Sequence, residues 1–164
     1  MKSLLRWCAF AGRGVAAVEF AITLPILLYF MGGVTDFGIV FYRQSCLSTA
    51  VAAGAQYASL TDQRSPPVSA ATVQTVMQNA AAQSMPNVTT TATVTGPACY
   101  CITGSSPNST MGSAVTCGSA CATGGTAGKF VQLTLTSTYN PILPLFSRVI
   151  GAQTLSKTAW VPLQ

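Results

Sequence analysis

Gly14-Val15-Ala16-Ala17-Val18-Glu19-Phe20-Ala21-Ile22-Thr23-Leu24-Pro25-Ile26-Leu27-Leu28-Tyr29-Phe30 is the stretch on which the reading of this chain turns. It opens an apolar run that continues to Phe41 and is interrupted only by Glu19, Thr23, Thr35 and Asp36. Between Phe20 and Thr35 no residue is charged. A helix that crosses a bilayer needs about 20 predominantly apolar residues, which Val15–Thr35 supplies with a single acid. Pro25 lies inside the run and would kink a helix, a feature tolerated better in membranes than in water. The sequence therefore predicts one transmembrane helix.

Outward from that run the chain divides into three parts. Residues 1–14 form a basic leader carrying Lys2, Arg6 and Arg13, a positive-inside signal that keeps the first residues cytoplasmic. Helical spacing continues past the apolar run through Leu47, Val51, Gly54 and Tyr57/Ala58, so residues 15–60 read as one spanning and projecting helix. Residues 61–164 read as a small α+β domain. Ser65-Pro66 predicts the start of a second helix, whose stripe is Val73, Val76, Met77 and Ala80 and whose end is Pro86.

Beyond Asn87 the period changes to two. Val88, Thr90, Ala92 and Val94 alternate with threonines, and Val131, Leu133 and Leu135 alternate with Gln132, Thr134 and Thr136. Thr154–Val161 gives a third, less regular strand. The expected fold class is α+β: a long N-terminal transmembrane helix, a short second helix and a three-stranded antiparallel sheet. Residues 96–128, rich in Gly, Ser, Thr and Cys, are expected to form a long loop pinned by disulfides.

Composition narrows the function. Charged residues make up 7% of the 164 residues, against roughly 25% in ordinary soluble domains. The net charge of +5 includes the three leader bases, and the remaining bases are scattered without aromatic interleaving. No phosphate-tracking stripe exists, so nucleic acid is not an expected partner. There is no histidine, and the three acids Glu19, Asp36 and Asp62 are far apart in sequence. General acid–base catalysis near neutral pH draws on those groups, so the sequence predicts no enzyme, no cofactor and no metal site.

A glycine behind a basic leader, an acid five residues into the segment beyond it and an apolar helix directly after resemble a type IV prepilin cleavage site. Arg13-Gly14-Val15-Ala16-Ala17-Val18-Glu19-Phe20-Ala21 followed by Leu24-Pro25 is similar, more narrowly, to the TadE-like pseudopilins of the tight-adherence (Flp) pilus system. The resemblance covers residues 12–45. It implies cleavage between Gly14 and Val15 by a prepilin peptidase and assembly with other pilin or pseudopilin subunits and the pilus machinery. It also implies residence in a bacterial inner membrane, with the C-terminal domain periplasmic or on the pilus. Glycine at the scissile position leaves the backbone free to extend into a protease site. Other readings of the region are a plain signal anchor with an incidental Glu19, and a secretory signal cut near Ala50-Val51-Ala52.

Glu19 and Phe20 are the candidate assembly residues. An acid in hydrocarbon normally finds a partner, and cleavage would create a free amine at Val15 of the same or a neighbouring subunit. Asp36 lies near the outer end of the run, where interfacial water is the expected solvent for it. Cys99-Tyr100-Cys101 and Cys117-Gly118-Ser119-Ala120-Cys121 bracket the loop between two strands. An oxidising compartment calls for two disulfides, and a nested pairing, Cys99–Cys121 with Cys101–Cys117, suits a hairpin. The rival is a Cys₄ zinc site, from which CxC and CxxxC depart because such sites use CxxC knuckles. The functional alternative to a pilus subunit is a single-pass anchored binding module whose Cys-rich loop contacts a ligand or surface.

Overall fold

The computed structural model describes residues 2–62, 69–103, 110–122, 124–142, 148 and 151–163. Helix α1 spans Lys2–Asp62 and runs through Pro25 without interruption. Helix α2 spans Ala70–Ser84, and the strands are β1 Thr90–Thr103, β2 Thr110–Val115, β3 Gly128–Tyr139 and β4 Gln153–Leu163. The chain forms two compact units, one of Met1–Val40 with Pro141–Gly151 and one of Phe41–Asn140 with Ala152–Gln164.

In the first unit, Val15, Val18, Ile22, Ile26, Phe30, Val34 and Phe37 are all exposed. With Leu27, Leu28, Tyr29 and Met31, which are exposed as well, these positions lie all around the helix, so no polar face is left to turn to water. The segment is long and apolar enough to cross a membrane, and none of its apolar window is buried within the protein.

The second unit holds the core. Leu47, Ala50, Val51 and Ala58 of α1 are buried, at the three- and four-residue spacing that places them on one helical face. Val73, Met77 and Ala81 of α2 are buried likewise, as is Met85 at its C-cap. Against them lie Ala92 of β1, Val131, Leu133 and Leu135 of β3, and Leu155, Val161 and Leu163 of β4. Gly54 marks a close approach. A Cβ there would collide with Met77 Cγ and Sδ and touch Leu133 Cδ1. Gly54→Val is therefore expected to lower stability by about 1–3 kcal/mol through overpacking, read as a fall in the urea midpoint. An unchanged midpoint would mean that the two helices separate without loss.

The sheet corrects the expected strand count. Among the described residues it has four antiparallel strands in the order β2-β1-β3-β4. The expected loop at 96–128 contains the C-terminal half of β1 and all of β2. Two things hide them in the sequence. Gly96, at φ 104°, forms a β-bulge between Thr95 and Ala98 that breaks the alternation. Strand β2, Thr-Met-Gly-Ser-Ala-Val, is exposed at every position except the half-buried Met111, so it has no hydrophobic face to betray it.

The second helix begins at Ala70, after Ser69. The start expected at Ser65-Pro66 lies outside the described residues. Its end agrees with Pro86: Met85 is the C-cap, and Asn87 takes a positive φ of 67° in the turn. The solvent face of the sheet carries rows of hydroxyls, with Thr134 and Thr158 paired at 3.1 Å and Thr136 donating to the Thr91 carbonyl at 3.3 Å.

Candidate functional site

The N-terminal candidates all lie on α1. Gly14 is helical, and a Cβ built on it meets nothing within 4 Å. No packing contact in the protein therefore requires glycine here, although glycine destabilises a helix interior by about 1 kcal/mol relative to alanine. Val15 and Phe20 are exposed, Phe20 by 62%. Glu19 is exposed one helical turn after Val15, and among the described residues no side chain is paired with it. Its backbone carbonyl accepts the Thr23 hydroxyl at 2.9 Å, which satisfies a polar group inside the apolar run. Further along, Tyr29, Phe30, Gly33, Val34 and Phe37 line an open apolar hollow of about 430 Å³.

The four loop cysteines come together as two disulfides, Cys99–Cys117 and Cys101–Cys121. The nested pairing expected from the spacing is not the one formed. β2 ends at Val115, opposite Cys99, so Cys117 lies just past the partner of Cys99. The chain then turns back, with Ser119 N–H donating to the Thr116 carbonyl at 3.1 Å and Cys121 N–H to the Gly125 carbonyl at 3.0 Å. That reversal brings Cys121 to Cys101. Among the described residues no group of His, Cys, Asp and Glu could hold a metal ion. Cys46 is free and buried in α1.

Two polar residues have roles that the sequence did not reveal. Asp36, expected in interfacial water, is instead only 8% exposed, and its Oδ1 accepts the Ile142 backbone N–H at 3.0 Å. The partner is 106 positions away, beyond the reach of any local pattern. Arg43 donates from Nη1 to the Thr138 carbonyl at 3.2 Å and lies over the Tyr139 ring, 5.0 Å from its centroid. Beside it, with Asn87, Thr89 and Asn140, opens a polar cleft of about 390 Å³. A guanidinium engaged in this way holds the start of the core-facing part of α1 against the end of β3.

These features define a class of chain in which an exposed apolar helix continues into a disulfide-bonded α+β sheet domain. More particularly, residues 14–56 match the family model described as TadE-like protein, so the segment that begins at Gly14 is similar to that family. No curated protein and no solved structure matches the chain.

Proposed function

We propose that this protein is a minor pilin-like subunit, a pseudopilin, of a tight-adherence or Flp-type pilus assembly system. In this reading a prepilin peptidase cuts after Gly14, α1 holds the chain in the bacterial inner membrane with its N-terminus cytoplasmic, and the sheet domain lies outside. The observation that carries it is the coincidence at one point of the chain. The TadE-like match begins at Gly14, a glycine with no packing role, and leads into a helix whose apolar side chains are unburied. Such a helix requires lipid or neighbouring helices around it, and the hollow beside Gly33 offers a seat for one. The role is structural: subunits pack, and no step of chemistry is asked of the mature protein.

Glu19 is assigned to assembly and not to cleavage. An unpaired carboxylate in the apolar zone costs at least a few kcal/mol, and the amine exposed at Val15 by cleavage complements it within or between subunits. Association is then rewarded only after the leader has gone. Glu19→Gln keeps the shape and removes the charge, so it should be cut normally yet fail to co-fractionate with sheared pili. Normal cleavage together with wild-type assembly would remove the pairing from the account. Failure of the wild-type protein to crosslink to any pilus component would remove the pilus reading itself.

A further inference from the structure

Two consecutive residues of α1 set the walls of the polar cleft beside Arg43. Tyr42 donates its hydroxyl to the Ser84 carbonyl at 3.0 Å, at the end of α2. Arg43 donates from Nη1 to the Thr138 carbonyl at 3.2 Å, near the end of β3. One bond ties the helix to the segment that leads into Asn87, the other to the segment that leads into Asn140. The cleft has a volume of about 390 Å³, and its lining includes Arg43, Asn87, Thr89, Thr91, Thr136 and Asn140.

The lining has charge of one sign. Its other polar side chains are hydroxyls and amides, and among the described residues none of the three acids, Glu19, Asp36 and Asp62, belongs to it. A guanidinium carries five N–H donors. Arg43 uses one of them on Thr138, while the Tyr139 ring, 5.0 Å from the guanidinium carbon, meets its face. Ser137 lines the cleft as well; it is only 3% exposed, and among the described residues its Oγ has no hydrogen-bond partner. Buried hydroxyls are nearly always bonded, and an exception calls for a bound water or ion. A fixed guanidinium among hydroxyls and amides, with no carboxylate to neutralise it, has the chemistry of an oxyanion site and suits phosphate.

The place of Arg43 on α1 says where that phosphate comes from. It follows Phe41, the last residue of the apolar run, by two positions, about 3 Å along a helix. Phe41 and Tyr42 are both exposed. Aromatic side chains at the end of a span lie at the level of the headgroups, and a neighbouring arginine extends its charge to the same level. We infer that the cleft is a binding site for a phosphate group, carried by the headgroup of a phospholipid, with Arg43 as its principal ligand. The inference rests on the proposed reading of α1 as a membrane span.

The test uses the full chain in phosphatidylcholine vesicles doped with a phosphatidylethanolamine that carries a diazirine on its headgroup. Adducts are located by tandem mass spectrometry and are expected within residues 87–91 and 136–140, and not on β2. Thr89 is exposed and lies ahead of β1, so it can be changed without removing the contacts of Arg43. Thr89→Asp sets a carboxylate in the cleft and should cut these adducts by roughly tenfold, the scale of one charge-assisted hydrogen bond. Thr89→Asn has the same shape without the charge and should label as the wild type does, whereas Arg43→Gln should match Thr89→Asp. Undiminished labelling in Thr89→Asp, an equal loss in Thr89→Asn, or labelling of β2 as strong as that of the cleft overturns the inference. Excess inorganic phosphate, matched in ionic strength by chloride, should leave the adducts in place; their loss in phosphate alone assigns the cleft to free phosphate and overturns the lipid source. A parallel sample with the diazirine on the acyl chain reports the span through adducts within 20–35. Those adducts without any in the cleft from the headgroup probe overturn this inference alone, and adducts from neither probe overturn the span as well.

Discussion

Gly14→Leu is expected to abolish the proposed processing, leaving a full-length chain where the wild-type protein is expected to be cut to begin at Val15. The structure makes this variant a clean instrument. A Cβ added at Gly14 meets nothing within 4 Å, so the variant meets no packing clash at its first side-chain atom. Leucine also favours the helix over glycine by about 0.8–1 kcal/mol. A block in cleavage would therefore report on the peptidase and not on a misfolded substrate. In the peptidase, the branched side chain would have to enter a site shaped for a backbone without Cβ. Intact-mass measurement distinguishes the chain of residues 1–164 from that of residues 15–164. Normal cleavage of the leucine variant, or an uncut wild type beside an active peptidase, would end the assignment of Gly14 as the scissile position.

Removing one disulfide is the second large effect. The Cys101–Cys121 bridge closes a loop with a sequence separation of 20, and the Cys99–Cys117 bridge one of 18. In the loop-entropy model each contributes on the order of 3 kcal/mol. Small domains are stable by about 5–15 kcal/mol in total, so either bridge is a large fraction of what is available. Strand β2 depends on them most, because its side chains bury almost nothing and it pairs with β1 alone. Cys101→Ser should thus sharply raise the protease sensitivity of the sheet domain and leave the proposed cleavage after Gly14 unaffected. A variant as resistant as the wild type would show that the edge strand holds by its backbone bonds alone.

What was legible in the sequence follows from where the hydrophobic pattern is one-sided. Val131, Leu133 and Leu135 alternate because one face of β3 covers the helices, and Leu47, Val51, Gly54 and Ala58 recur because one face of α1 meets the sheet. Both periods survive in the sequence and predict the elements correctly. β2 has no buried face, and Gly96 shifts the register of β1 partway along, so neither period extends into 96–115. The cysteines were legible as a pairing set but not in their connectivity, which is decided by the reversal after Thr116. Asp36 was illegible for a different reason: its meaning lies in a backbone group that no composition or spacing can point to.

The order of the bridged cysteines along the chain, 99, 101, 117 and 121, makes the two covalent loops interlock, since each begins inside the span of the other or ends there. A protease that nicks the backbone anywhere from 102 to 116 cuts both loops and yet frees nothing, because both bridges still join the halves. Such a nicked molecule would migrate as one piece in a gel until reductant is added, and would keep its edge strand in place. Wherever a protease reaches it, this segment can be severed once without being shed.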